Sequence, residues 1–143
     1  MDVTLRKGTV DDAEELFILV QDFATSFLPD KLAFRNTLEQ VITDESANLT
    51  VALLQENIVG YCLGFDHYAF YANGRVSWVE EIMVREDLRK TGIGRKLMDE
   101  FEDWCIQRSS QLIGLATRRA APFYEALNYE NSAVFFRKLL TEV

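Results

Sequence analysis

The stretch 84-VREDLRKTGIGRKLMDEF-101 carries two glycines one residue apart, and apolar residues at helical spacing follow them directly. Glycine loses more backbone freedom on folding than any other residue, so two in one short stretch need a physical reason. The first four N–H groups of a helix lack internal partners, and the helix dipole places partial positive charge there. Since glycine lets an anion approach these groups closely, the stretch indicates a phosphate-binding turn between a strand and a helix.

Four basic side chains surround the two glycines: Arg89, Lys90, Arg95 and Lys96. The spacing Arg89-x-x-Gly92-x-Gly94 differs from the P-loop, which requires Gly, four residues and then Gly-Lys-Ser/Thr. It also differs from the dinucleotide motif, which requires three glycines. The pattern therefore suits a single pyrophosphate better than either nucleotide fingerprint. Taken alone, it is equally compatible with a tight turn whose basic neighbours are simply solvated.

Length and composition indicate one domain, residues 1–143, with 48% hydrophobic and 27% charged residues. A net charge of −8 argues against a nucleic-acid partner and mildly favours an amine-bearing one. No apolar run approaches the ~20 residues that cross a bilayer, and no signal-peptide core is visible, so we expect a cytoplasmic protein without a membrane partner. Cys62 and Cys105 are expected to be reduced and interior, and no metal site is expected because ligand spacing is absent.

The periodicity of the rest of the chain predicts a mixed α/β domain in the order β-αα-β-β-β-α-β-α-β, with helices on both faces of one sheet. Strand patterns cover residues 3–8, 49–54, 58–65, 75–84, 112–116 and 132–139. Helical patterns cover residues 10–23, 30–43, 92–108 and 122–127, with Thr9 as an N-cap and Asn128 as a left-handed end residue. Residues 66–74 are expected to form a connecting loop.

Three motifs, in this order along the chain, resemble the GNAT superfamily of acetyl-CoA-dependent N-acetyltransferases. The opening 5-LRKGTVDD-12 is similar to the usual start of the family. The block 79-VEEIMVREDLRKTGIGRKLM-98 resembles its central strand, Arg/Gln-x-x-Gly-x-Gly/Ala turn and long helix. The segment 120-AAPFYEALNY-129 is similar to its helix with a Phe-Tyr pair, although Asn128 replaces the usual glycine. The resemblance covers essentially the full chain and implies the GNAT fold, whose mixed central sheet is splayed in the middle.

The resemblance also implies acetyl-CoA as co-substrate and assigns the residues that bind it. The pyrophosphate is expected on the turn, held by Arg89, Lys90, Thr91, Gly92, Ile93, Gly94 and Arg95. The pantetheine arm is expected to pair with the central strand at Ile82, Met83 and Val84. Transfer of another acyl group is a close variant, because the sequence does not reveal how long an acyl chain fits.

The activity that the resemblance implies is direct attack of a primary amine on acetyl-CoA in a ternary complex. An aliphatic ammonium has a pKa of about 10, so it must first lose a proton, and a carboxylate can accept it. Glu80 and Glu81 are adjacent on a strand, so their side chains should point to opposite faces. Glu80 matches the proposed base of polyamine-acetylating relatives and is expected to be the base, with Glu81 as the alternative. Either carboxylate could instead lie on a solvated face.

Tyr124 occupies the position at which the family carries the acid that protonates the leaving thiolate. The alternative is that Tyr124 is structural, with a packed ring and a hydroxyl group that has a hydrogen-bond partner. The resemblance places the acceptor beside the aromatic loop and the helical wall, which suggests Phe27, His67, Tyr68 and Tyr71 as lining residues. Core packing explains Phe27 equally well, and a lone loop histidine is more often merely exposed.

The sequence leaves the amine acceptor open, since family substrates range from small molecules to peptide and protein amines. Oligomeric state is also open, although a homodimer is common in the family. A different class of function is a catalytically silent acetyl-CoA or CoA-binding module that senses the ligand or regulates a partner. The presence of both Glu80 and Tyr124 argues against the silent module.

Overall fold

The centre of the protein is a five-stranded sheet, in a computed structural model that describes residues 2–23 and 27–141. Its strands are β1 (Val3–Lys7), β2 (Ala47–Leu54), β3 (Asn57–Ala69), β4 (Gly74–Val84) and β5 (Ile113–Leu115). They follow one another in sequence order across the sheet. The first four pair antiparallel, and β5 joins β4 in parallel. This is the mixed sheet that the sequence predicts.

Helices cover both faces of the sheet: α1 (Ala13–Phe23), α2 (Lys31–Thr43), α3 (Ile93–Gln107) and the short α4 (Ala121–Ala126). The predicted N-cap Thr9 precedes the first helical turn in a capping box with Asp12. The Asp30 carboxylate, which was not predicted as a cap, accepts from the Ala33 N–H at 2.9 Å and caps α2. Asn128 adopts a φ of 71° just beyond α4, as expected for a left-handed end residue. Within the described residues, no helix is long and apolar enough to cross a membrane.

Two apolar clusters, one on each face, follow from the period of two along the strands. Val51 and Tyr61 pack into the cluster beneath α1 and α2. Their immediate neighbours Ala52 and Cys62 pack into the cluster beneath α3, which also contains Tyr124 of α4. The sheet is therefore buried on both sides over its central strands.

A β-bulge interrupts β4 at Glu80 and determines which later side chains face which helices. Leu63 of β3 is opposite Glu81, whereas Gly64 is opposite Val79, so Glu80 is an extra residue without a cross-strand partner. Val79 and Met83, four positions apart, would share a face in a regular strand. Instead, Val79 packs beneath α3 and Met83 packs beneath α1 and α2. The bulge therefore reverses the alternation from Glu81 onward.

Two segments differ from the sequence prediction. Residues 66–69 continue β3 instead of starting a loop, because the buried carboxylate of Asp66 is paired with Arg108 and Arg75 and so tolerates the interior. The predicted last strand, residues 132–139, is wrong: these residues adopt no regular structure and are exposed. Strand-forming composition supplies side chains suited to a sheet, but it does not supply a pairing partner.

Candidate functional site

The glycine turn after β4 leaves the start of α3 open to an approaching anion. Gly92 is the N-cap of α3 with φ of 97°, a left-handed conformation that other residues rarely adopt. A Cβ added there would meet nothing within 4 Å, so the space in front of the turn is empty of protein. The preceding Lys90 also has positive φ, at 64°. The N–H groups at the start of α3 therefore face open space beside a positive helix end.

The remaining residues of the turn fall into two groups: those that contact the rest of the protein and those that are exposed to solvent. Ile93 is buried in the cluster beneath α3, and Gly94 lets Phe123 of α4 approach, since an added Cβ would lie 3.3 Å from its ring. Arg89 folds back and donates from Nε to the Val84 carbonyl at 3.1 Å. Thr91 is exposed, as are the cationic side chains Lys90 and Arg95. This combination of open N–H groups and exposed positive charge fits a pyrophosphate.

A gap opens between β4 and β5 beyond their short pairing. The two strands pair over Ser77–Val79 and Ile113–Leu115, and β4 continues for five further residues to Val84. Beside this gap lie Ile82, Met83 and Val84, the strand residues expected to pair with pantetheine. The edge of β4 that faces the gap can therefore offer backbone hydrogen bonds to an extended ligand. The gap begins directly at the Glu80 bulge.

Glu81 is the charged residue among those that line a cavity of about 80 Å³ between the sheet and the helices α1 and α2. The Tyr61 hydroxyl donates to Glu81 Oε1 at 2.7 Å. The apolar lining comes mainly from α1, α2 and β3, including Leu16, Val20, Phe34, Leu38, Val41 and Leu63. Glu81 turns toward this cavity because the bulge places it on the same face as Met83.

The two adjacent carboxylates have different environments. Glu80 is exposed at the bulge, whereas Glu81 is partly buried. Burial raises the pKa of Glu81, the Tyr61 hydrogen bond opposes this rise, and the Glu80 charge adds to it. The sequence expectation favoured Glu80 as the base, but the cavity contains Glu81. A carboxylate with a raised pKa inside an apolar cavity is a stronger proton acceptor than an exposed one.

Tyr124 occupies the opposite face of the sheet, in the cluster beneath α3. Its ring packs edge-on against Phe123 and Tyr129, with centroids 5.0 and 5.9 Å away. Burial raises the pKa of Tyr124 to about 12, and the neighbouring Cys62 thiol contributes to this rise. The phenol therefore stays protonated at neutral pH and remains a hydrogen-bond donor. Glu81 and Tyr124 thus approach the sheet from its two opposite faces.

The other expected acceptor residues lie apart from the cavity. His67 and Tyr68 pair with Val76 and Arg75, five or six residues before Glu81 on β4. At about 3.3 Å per residue they lie roughly 17–20 Å along the strand from Glu81. Tyr71 is exposed in the turn between β3 and β4, and Phe27 is exposed and absent from the cavity lining. Residues 24–26 of the expected helical wall lie outside the described residues.

Tyr61 is the site residue that sequence reasoning missed. Its signal is weak, because a tyrosine within an apolar strand shows only that its hydroxyl group needs some partner when buried. That the partner is Glu81, 20 residues away, depends on the pairing of β3 with β4. The cavity itself leaves no sequence signature, since its lining residues are spread from Leu16 to Glu81.

The cysteines show no nucleophilic character. Burial raises the pKa of Cys62 to about 12 and that of Cys105 to about 11, and both thiols are free. A reactive cysteine has a lowered pKa instead, so these two act as core side chains. Across residues 2–23 and 27–141, no group of three or more His, Cys, Asp or Glu side chains could hold a metal ion.

Comparison with solved structures confirms the fold. A transcriptional regulator from Bacillus halodurans C-125 superposes with a TM-score of 0.88 at 22% identity, covering 97% of this chain and 100% of that one. Glucosamine-6-phosphate N-acetyltransferase from Arabidopsis thaliana superposes with a TM-score of 0.84 at 19% identity, covering 99% and 100%. AAC(6')-Iy, in complex with the bisubstrate analogue CoA-S-monomethyl-acetylneamine, gives a TM-score of 0.81 at 17% identity, covering 97% and 99%.

Comparison with known sequences identifies the family. No curated protein sequence matches this chain significantly. The family model of the acetyltransferase (GNAT) family matches residues 13–129, which include the glycine turn, both carboxylates and Tyr124. The resemblance inferred from the three motifs is therefore confirmed. The chain belongs to the GNAT acetyltransferase family and is an acyltransferase.

Proposed function

We propose that this protein transfers an acetyl group from acetyl-CoA to a primary amine in a ternary complex, with Glu81 as the base. The observation that carries the proposal is the end of the β4–β5 pairing at Val79, close in sequence to Glu81 on one face of the sheet, with Tyr124 packed on the opposite face. An acyl donor bound from the glycine turn and an amine bound in the cavity would meet there. Direct transfer therefore requires no covalent enzyme intermediate, in agreement with the buried, inert thiols.

The glycine turn and the gap would together orient the donor. The N–H groups at the start of α3, with Lys90 and Arg95, would bind the pyrophosphate, and the free edge of β4 would pair with the pantetheine arm. Backbone N–H groups at the gap can also polarise the thioester carbonyl. The role of these residues is positioning, which alone can contribute several kcal/mol to lowering the barrier.

Glu81 would accept the proton that the ammonium must lose before or during attack. The amine nitrogen then forms the C–N bond and loses its second proton to solvent as the C–S bond breaks, and the sulfur leaves with its electron pair as a thiolate. A thiol has a pKa of about 8.5. Since the pKa of Tyr124 is about 12, complete proton transfer from Tyr124 to the thiolate would be uphill. We therefore assign Tyr124 a hydrogen bond to the departing sulfur, with the final proton supplied from solvent.

The direct test is thiol release from acetyl-CoA with a panel of primary amines. Steady release that requires an amine, together with the N-acetyl product by mass spectrometry, supports the transferase. The alternative is a silent acetyl-CoA sensor or regulatory module, a possibility to which the similarity with a transcriptional regulator draws attention. Calorimetric binding of acetyl-CoA without turnover of any amine would favour that module and reject the transferase.

Replacing Gly92 with alanine should weaken acetyl-CoA binding selectively. Alanine at a φ of 97° carries a cost of roughly 1–2 kcal/mol, and its Cβ would project into the space proposed for the pyrophosphate. We expect the KM for acetyl-CoA to rise about tenfold, with an unchanged KM for the amine. Asn73→Ala is the matched control, because Asn73 is also left-handed but lies in the turn between β3 and β4. Equal effects of the two variants on acetyl-CoA would contradict a pyrophosphate site at Gly92.

We also propose that the protein forms a homodimer through its C-terminal segment, residues 132–141. Phe136 and Leu140 are 87% and 88% exposed, and Phe135 stacks on Trp78 beside the outer, short strand β5. One copy therefore carries both a strand-forming apolar segment and an open sheet edge, and a second copy can complement each of them.

We propose a cytoplasmic location as well, since the buried thiols Cys62 and Cys105 are free.

The dimer should be visible as a doubled mass in size-exclusion chromatography with light scattering. The double substitution Phe136→Ser and Leu140→Ser should shift the protein toward the monomer, because it removes apolar area from the interface. Ile18→Ser is the control, since Ile18 is an exposed apolar residue on α1, far along the chain from this segment. A monomeric wild type at micromolar concentration would reject the proposed interface.

A further inference from the structure

The cavity beneath α1 and α2 has a chemical character that restricts the acceptor. Its polar lining groups are Thr37, Tyr61 and Glu81, and the remaining lining residues are apolar. The Tyr61 hydroxyl is already engaged with Glu81. The described lining thus offers one carboxylate to a nitrogen and offers no cationic side chain to an anionic group.

This charge pattern separates classes of amine. An acceptor that carries a carboxylate or phosphate would bury that charge without a counter-ion and close to Glu81, which costs several kcal/mol. An ammonium group, in contrast, gains a partner in Glu81. A neutral polar group such as a sugar hydroxyl would find few hydrogen-bond partners among the leucines and valines. The lining therefore favours an amine whose only polar atom is its nitrogen.

The size of the cavity limits the apolar part of the acceptor. A volume of about 80 Å³ is roughly half of the 150 Å³ apolar cavity that binds benzene in a protein core. An aromatic ring is therefore too large without rearrangement, whereas an alkyl chain of about three or four carbons can enter.

We infer that the acceptor is a short-chain aliphatic primary amine, with its alkyl group in this cavity and its nitrogen beside Glu81. The inference rests on the proposed acetyltransferase function and specifies its second substrate. Two lining residues of α2 reach solvent, since Thr37 is exposed and Val41 is partly exposed. Glu81 also lines the cavity and lies next to the bulge at which the gap between β4 and β5 begins.

The test is the dependence of kcat/KM on chain length in a series of n-alkylamines from methylamine to octylamine. Each buried methylene contributes about 0.8 kcal/mol, so we expect kcat/KM to rise about fourfold per carbon. The rise should end at about three or four carbons and then reverse. Amines of similar length that carry a carboxylate, a phosphate or several hydroxyl groups should be poorer substrates by at least tenfold.

Variants at one lining position make the test specific. Val41→Ala enlarges the cavity and should move the optimum toward longer chains, whereas Val41→Phe fills it and should move the optimum toward shorter ones. Ile42 is the next residue of α2 and lies outside the cavity lining, so Ile42→Ala should leave the profile unchanged. Thermal melting of each variant identifies any loss of folding.

The outcomes distinguish the inference from the function on which it rests. An optimum that shifts in opposite directions in the two Val41 variants supports the inference. Active enzyme that prefers anionic or polyhydroxylated amines, or that ignores chain length, overturns the aliphatic acceptor and leaves the transferase intact. Binding of acetyl-CoA without turnover of any amine overturns the transferase, and this inference with it.

Discussion

Replacing Glu81 with glutamine is expected to lower kcat by about 10²- to 10⁴-fold, the range for loss of a general base. Glutamine keeps the shape of the side chain and can still accept a hydrogen bond from Tyr61, but it cannot take up the amine proton. Glu80→Gln is the matched control, because Glu80 is adjacent and exposed at the bulge. It should lower kcat less than threefold. A larger fall in kcat for Glu80→Gln than for Glu81→Gln would show that Glu80 is the base.

Stability measurements distinguish a catalytic role of Glu81 from a structural one. Burial raises the pKa of Glu81 in the folded state. The stability that this group contributes is therefore present below its unfolded pKa and is lost as pH rises through the folded pKa. At a pH above the folded pKa, the ionised carboxylate gives no net stabilisation that glutamine would remove. The Tm of Glu81→Gln should accordingly equal or exceed that of wild type, whereas a structural carboxylate would show a fall.

The same shift in pKa determines the pH dependence of the reaction. The base must be ionised, so kcat/KM should fall as pH decreases through the pKa of Glu81, above the usual range of a glutamate. The Tyr61 hydrogen bond favours the ionised form and holds this pKa down. Tyr61→Phe should therefore move the fall in kcat/KM on the acidic side of the pH profile to higher pH. If this fall stays at the same pH in the variant, a group other than Glu81 controls it.

Replacing Tyr124 with phenylalanine is the second variant with a large expected effect. The phenol donates to the departing sulfur in our proposal, so its loss should lower kcat by about 10²-fold, the lower end of the range for such groups. The KM for acetyl-CoA should stay within about twofold, because the pyrophosphate site at the start of α3 is untouched. Steady-state kinetics with both substrates varied measures both quantities.

Tyr129→Phe is the matched control for Tyr124. Tyr129 packs against Tyr124, and its hydroxyl donates to Glu102 at 2.7 Å, so its role is structural. This variant should lower the Tm more than Tyr124→Phe does and should change kcat little. An unchanged kcat in Tyr124→Phe would remove this residue from the mechanism, and its ring would then be only a core side chain.

Much of the fold could be read from the sequence because its signals are local. The Gly92 turn, the Thr9 cap and the Asn128 end residue each depend on backbone conformations within a few residues. The predicted continuation of the sheet into residues 132–139 failed for the opposite reason. A strand exists only when another strand pairs with it, and the short β5 leaves this segment without such pairing within the described chain.

The candidate site divides in the same way. The glycines and basic residues of the turn, with the Phe-Tyr pair of α4, were visible as motifs, and the family match confirms the class of enzyme. The choice between Glu80 and Glu81 was not visible, since both are acidic and adjacent. One extra residue in β4 relative to β3 makes Glu80 a bulge and turns Glu81 toward the cavity.

The sequence by itself thus determined the α/β order of elements up to α4, the glycine turn before α3 and the family, because these depend on short-range spacing and backbone preference. The tertiary structure decided which carboxylate is buried, that Tyr61 contacts it, and that a small apolar cavity adjoins the gap between β4 and β5. Each of these depends on the register between strands that are distant in sequence. Register is set by how whole strands and helices pack together, and a single residue of shift exchanges the two faces of a strand.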